Sequence, residues 1–283
     1  MTNVKCFRCS TTNFIADEAC RVCGAELRLV SYSEAQGTAG RRNPAVETIA
    51  SIPPFEGIGD VLGPTLNLFV TNIWLITKIV FVVVAPFEIF KALSISHVND
   101  DWQLAAGLFF LDLLCGVLIV PALIYALTKL LETGKAPSLS ESYGWGVSKL
   151  GRLIVCAAIT WLLEVLGFML FVIPGILIAL SLALVYPVAV LEKRSVSETL
   201  RRSRELTRGH RGKIFLAAIV MFLTVALISI PVELVLPENG PVWQFNVLNG
   251  IITNILKQAA TVFVLVLYLS ILRTLGRGRS VIK

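Results

Sequence analysis

Histidine and charge are what this sequence has least of. Two histidines, His97 and His210, occur among 283 residues, and Asp, Glu, Lys and Arg together make up 16% of the chain, where a soluble domain carries about a quarter. No His-x-x-x-His pair, no Ser, His and acid set at a preferred spacing and no glycine-rich phosphate loop after a strand can be assembled. The expectation is a chain that is not an enzyme. The opening MTNVKCFRCS holds no apolar run and no small-residue cleavage site, so it is expected to be neither a signal peptide nor an anchor.

What is present is apolar. Hydrophobic residues make up 55% of the chain and the mean hydropathy is +0.78. Six apolar runs approach the roughly 20 residues that a helix needs to cross a bilayer: about 73–95, 103–128, 151–171, 174–191, 214–236 and 247–272. Only FVIPG separates the third from the fourth, and Pro174 and Gly175 predict a tight hairpin there. Lysine and arginine are distributed very unevenly. Of the 25, 22 fall in the head up to Arg42, in 129–152, in 193–213 or in the tail, and none in SISHVNDDW, FVIPG or PENGPVWQF. The positive-inside rule then predicts a multi-pass protein of the cytoplasmic (inner) membrane with both termini in the cytoplasm.

The densest cationic stretch, SVSETLRRSRELTRGHRGK at 195–213, lies between two of these runs. On a helical wheel Val196, Thr199, Leu200, Ser203, Leu206 and Thr207 share one sector, and the arginines fill the rest. Ser195 and Glu198 form a capping box, and Gly209 is a stop. The segment is expected to be an interfacial helix on anionic lipid, with Arg201, Arg202, Arg204, Arg208 and Arg211 at the lipid surface. A second S-x-S-E-[ST] opening at 138–142, with Ser138 and Glu141, again leads to glycine, a cation and a span, and a weaker third begins near Gly57. The implied unit of surface helix, outward span and return span is used three times.

The stretch FVIPGILIALSLALVYPVAVLEKRSVSETLRRSRELTRGHRGKIF, with Pro174-Gly175, Pro187, Glu192, RRSRELTRG and then Tyr268 and Arg273, resembles the signature of a bacterial six-span family. That family includes the membrane domain joined to some glycerophosphodiester phosphodiesterases. The resemblance covers roughly residues 60–275. It implies a fold and a membrane, not a reaction, because the separate catalytic domain is missing and LYLSILR lacks the acid of the family's ending.

The head is of another kind. Cys6, Cys9, Cys20 and Cys23 are spaced C-x2-C, ten residues, C-x2-C, so two knuckles can aim four thiolates at one tetrahedral Zn2+, with a rubredoxin-like iron site as the alternative. A disulfide pair is disfavoured in the cytoplasm. The spacing resembles short zinc ribbons. Few cations and only Phe7 and Phe14 accompany the knuckles, so no nucleic acid is expected and a protein partner is. The expected domains are a zinc ribbon at 1–27, a flexible linker at 28–58 and a six-span membrane domain at 59–283. The remaining thiols, Cys115 and Cys156, are read as packing residues.

Ionisable groups at membrane depth are costly and are normally paired or wet. Lys257 shares a helical face with Asn254, Gln258 and Thr261, while Asp112 and Glu164 fall near mid-membrane. Lys257 is expected to pair with Glu164, or failing that with Asp112, and Glu88 with Lys91. The expected fold is thus all-α, with six transmembrane helices, interfacial helices in three repeats and a small zinc ribbon. The expected role is a non-catalytic membrane scaffold or regulator, and the rival is a transporter of a small polar or lipid-like solute through the polar seam around Lys257. A water-filled cavity reaching Lys257 favours the rival, and a dry, fully paired Lys257 favours the scaffold.

Overall fold

The computed structural model describes residues 3–5, 12–14, 52–98, 102–235 and 243–275. The chain divides into two units, Met1–Arg42 and Asn43–Lys283. In the first, β1 (Asn3–Lys5) pairs antiparallel with β2 (Thr12–Phe14), Asn3 opposite Phe14 and Lys5 opposite Thr12. Cys6, Cys9, Cys20 and Cys23, and the tether up to residue 51, lie outside the described residues.

The second unit is helical. Its elements are α1 (Gly59–Thr71), α2 (Ile73–Val98), α3 (Trp102–Thr133), α4 (Leu139–Leu170), α5 (Val172–Leu182), α6 (Val185–Leu191), α7 (Val196–Thr207), α8 (Arg211–Val235) and α9 (Trp243–Thr274). Among the described residues, six stretches are long and apolar enough to cross a membrane: Ile73–Ser94, Ala106–Thr133, Leu139–Leu170, Val172–Leu191, Arg211–Val235 and Gln244–Thr274. They correspond one to one with the six runs expected from hydropathy. The last is the most enclosed, and the core gathers on it, with Val262, Val266, Tyr268 and Ile271 almost fully buried. The fifth, α8, is the least covered.

Two details differ from the expected unit. Of the three units expected, the first and third show a helix break where one was expected between surface helix and span, at Asn72 between α1 and α2 and at Arg208–His210 between α7 and α8. In the second unit the two run on as the single 32-residue helix α4. Gly209 explains the contrast, because its φ of +88° is a left-handed conformation that ends α7, whereas Gly151 stays helical inside α4. Ser138 does accept the Glu141 backbone N–H. The Glu141 carboxylate, however, turns to Lys129 and Tyr125, so the second capping box is half-formed.

The hairpin is where FVIPG placed it, but Phe171 makes the turn, in extended conformation between α4 and α5. Pro174 sits in the first turn of α5, where no helical partner for its missing N–H is needed. Gly167 and Gly175 serve packing instead: a Cβ on Gly167 would come within 3.0 Å of Gly175 Cα, and one on Gly175 would strike the Phe168 ring.

The chain enters and leaves this unit at the same end. Residues 52–58, expected to be the last part of a flexible linker, are fixed there. Arg273 donates to the Ile52 carbonyl, Ser270 to that of Pro53 (2.8 Å) and Lys213 to that of Glu56 (2.7 Å), while Thr274 Oγ1 accepts from Phe55 N (2.8 Å). Phe55, buried, meets the His210 ring edge-on. Burying Phe55 and Ile52 contributes about 1.5–3 kcal/mol each.

Candidate functional site

The fourth span is discontinuous, and the cationic helix repairs it. Pro187 lacks an N–H and its ring crowds the carbonyl four residues back, at Ala183, so the helix breaks between α5 and α6. Backbone groups freed inside a bilayer need partners, and hydroxyl side chains of neighbouring helices are one source. Ser203 of α7 supplies them, accepting the Leu184 N–H at 3.2 Å and donating to the Ser181 carbonyl at 3.0 Å. Thr207 donates to the same carbonyl at 3.3 Å.

The helix expected at the lipid surface turns its Val196–Thr207 stripe toward protein, with Thr199, Ser203, Leu206 and Thr207 buried. The capping box at Ser195 and Glu198 is complete. The Ser195 backbone N–H and hydroxyl hold the Glu198 carboxyl below the usual carboxylate range. Arg201, Arg204 and Arg208 are exposed and Arg211 is half-buried. Arg202 departs from the lipid-surface expectation, being only 8% exposed.

Arg202 is buried because it meets Glu192, at 3.5 Å. Glu192 also accepts from Tyr268 Oη at 2.9 Å and pairs with Arg194. Arg152 reaches over from α4 to donate to the carbonyls of Arg194 (2.7 Å) and Ala189. A single carboxylate thus ties together α6, α7 and α9. The sequence signature contained these residues, yet their convergence is a tertiary fact.

Beside this knot lies a cavity of about 820 Å3 walled by α4, α5, α6, α8 and α9. Its lining is apolar except at a few points, notably Thr160 and Glu164 one turn apart on α4, Tyr186 on α6 and Lys257 on α9. The expected pair of Lys257 and Glu164 is half-realised: they share the cavity, but no ion pair within 4 Å joins them, Lys257 being exposed and Glu164 half-buried. Each comes from a different helix and faces the space between. Thr160 is 5% exposed and its Oγ1 has no hydrogen-bond partner among the described residues.

The two outermost walls, α4 and α8, are not packed along each other. Trp161 and Phe168 of α4 and Phe222 of α8 line the cavity and are also exposed, at 66%, 48% and 71%. The cavity therefore opens sideways, where the bilayer would be.

The other polar residues singled out in the sequence lie elsewhere. Asp112 is exposed on α3, outside the cavity lining. Gln258 is buried, and it donates to the Asn254 carbonyl at 3.3 Å and accepts from Thr261 at 3.0 Å. Asn254 donates to Glu88 at 3.3 Å, and Glu88 pairs with Lys91 at 3.4 Å, as expected for that i,i+3 pair. Glu88 is 3% exposed and abuts Gly250, where any Cβ would collide with its carboxylate. Besides Glu192, α9 therefore engages a second acid, Glu88, through Asn254, and the sequence pointed to that acid only by its neighbour Lys91. Cys115 and Cys156 are buried free thiols, as expected of packing residues. Among the described residues no three His, Cys, Asp or Glu cluster as a metal site.

Over 165 residues the chain is 30% identical to a UPF0259 membrane protein of Pectobacterium carotovorum subsp. carotovorum (strain PC1), which covers 58% of this chain and 64% of that protein. It is 26% identical over 126 residues to a UPF0259 membrane protein of Serratia proteamaculans (strain 568), covering 44% of this chain and 50% of that protein. The chain thus matches less than two thirds of the length of either relative. No family model and no solved structure matches it. Its homologues are UPF0259 membrane proteins, and six helices among its own described residues are long and apolar enough to cross a membrane, which is consistent with a multi-pass membrane protein.

Proposed function

We propose that this is a non-catalytic lipid-handling protein of the bacterial inner membrane. It admits a lipid-like amphiphile through the gap between α4 and α8 and shelters the polar headgroup at Lys257. The observation that carries this reading is the laterally open, mainly apolar cavity that reaches an unpaired cation. A purely structural lysine would be dry and matched by a carboxylate, because an unpaired charge at membrane depth is costly. A volume of about 820 Å3 falls within the ~300–1,000 Å3 typical of small-molecule sites, enough for a headgroup and the first carbons of its chains, with the tails left in the bilayer.

The cation-rich end, with Arg152, Arg194, Lys213 and Arg273, is placed in the cytoplasm by the positive-inside rule. Arg201, Arg204 and Arg208 then face anionic headgroups at that surface. The head binds Zn2+ through Cys6, Cys9, Cys20 and Cys23 and recruits a protein partner there, the C-x2-C spacing being the support for this. The resemblance to the membrane domain of glycerophosphodiester phosphodiesterases supports contact with lipid and brings no hydrolysis with it.

Retained lipid tests the reading. Protein extracted in mild detergent should carry phospholipid in native mass spectrometry. Ala260→Trp, which puts an indole into the cavity, should remove that lipid while leaving the helical content unchanged. Equal retention by the variant, or none by the parent protein, would rule it out.

A further inference from the structure

The cavity offers three polar groups of different character, and together they describe a headgroup. Lys257 is a cation without a carboxylate, Glu164 a carboxylate without a cation, and Thr160, one turn from Glu164, a buried hydroxyl without a partner. An anionic amphiphile would satisfy Lys257 and leave Glu164 repelled, and a cationic one would do the reverse. A zwitterion satisfies both at once. The two charges come from different helices, line the same cavity and do not pair, which leaves each free for one end of a zwitterionic headgroup.

The hydroxyl narrows the choice. Buried polar atoms in folded proteins are nearly always hydrogen-bonded, and each exception needs an explanation. A primary ammonium has three N–H donors, enough for the Glu164 carboxylate and the Thr160 oxygen together. A quaternary ammonium has none and would leave Thr160 as it stands.

We propose that the cavity is selective for a bilayer aminophospholipid of the phosphatidylethanolamine type, with the phosphate at Lys257 and the ammonium between Glu164 and Thr160. This rests on the lipid-handling reading above and goes further by assigning the headgroup. The tails leave between Trp161 and Phe222.

The test compares headgroups with identical chains. The full-length protein is placed in nanodiscs of equal parts phosphatidylethanolamine and phosphatidylglycerol, released into detergent, and its adducts are counted by native mass spectrometry. Phosphatidylethanolamine should exceed phosphatidylglycerol by roughly tenfold, the effect of about one charge-assisted hydrogen bond. Phosphatidylcholine substituted for phosphatidylethanolamine should leave few zwitterionic adducts. Glu164→Gln, isosteric and uncharged, should keep bound lipid but lose the preference, and Thr160→Val should weaken it. A ratio near one in the parent protein, phosphatidylcholine bound as well as phosphatidylethanolamine, or an unaltered ratio in Glu164→Gln would each overturn the headgroup assignment and leave the lipid-handling reading standing. No lipid of any class, or a dimer in place of lipid, would remove both. The wild-type ratio decides the question even if a variant fails to fold.

Discussion

Glu192 and Lys257 show how differently two charged residues in one membrane protein can be placed. Glu192 is engaged on three sides, by Tyr268, Arg202 and Arg194. Removing one member of a buried ion pair typically costs about 3–5 kcal/mol, because the other is stranded, whereas a lost neutral hydrogen bond costs about 1 kcal/mol. Glu192→Leu should therefore destabilise the protein several times more than Tyr268→Phe in an SDS unfolding titration, and equal losses would show that Tyr268, not the carboxylate, is the anchor. Lys257 has no such ties. Lys257→Met and Glu164→Leu should each shift stability by no more than about 0.5 kcal/mol, as for positions without structural partners, and their effects should add. A large loss in Lys257→Met that Glu164→Leu repairs would mean that the two form an ion pair after all.

At the scale of elements, α7 is a cationic helix whose inner face completes another helix. Its hydroxyls at 199, 203 and 207 recur every four residues, a spacing that puts them in one row. A stripe made for lipid needs no hydroxyls, so this row was the available sign that the face meets protein. Ser203→Val with Thr207→Val should leave the Leu184 N–H and the Ser181 carbonyl without their partners across the α5–α6 break. A cost of about 1–3 kcal/mol for each stranded group should appear as faster hydrogen exchange in α5 and α6. Arg201, Arg204 and Arg208 changed together to Gln should leave that exchange unchanged and only weaken attachment to anionic surfaces. The opposite pattern would return α7 to the role of a lipid-held helix.

The whole molecule joins an enclosed centre to a loosely covered flank. Helix α9 is the centre, and α8 closes the cavity from outside while touching little else. A cavity whose outer wall is the least packed helix can widen without disturbing the core, which a lipid entry route requires. At the cation-rich end, residues 52–58 are pinned to α8 and α9. The purified protein should contain about one zinc per chain, and Cys20→Ser should lose the metal while the membrane unit stays folded. Stoichiometric iron, or a reduced protein without metal, would overturn the zinc assignment.

The number and approximate limits of the spans, a hairpin within FVIPG, the capping box at Ser195 and the Glu88–Lys91 pair could all be read from the sequence, because each depends on hydropathy or on neighbours within one turn. Pro187 lies at the break in the fourth span, but the run around it is apolar enough that the sequence reads there as one unbroken span. The neighbours of that break, the burial of Arg202 against Glu192, and the separation of Lys257 from Glu164 were decided only when the helices packed. Those contacts depend on the rotation and depth of one helix relative to another, and hydrophobic periodicity within a single segment carries no record of either. Periodicity identifies a helix face that is withdrawn from water, but whether lipid or protein covers it is determined by the neighbouring helices.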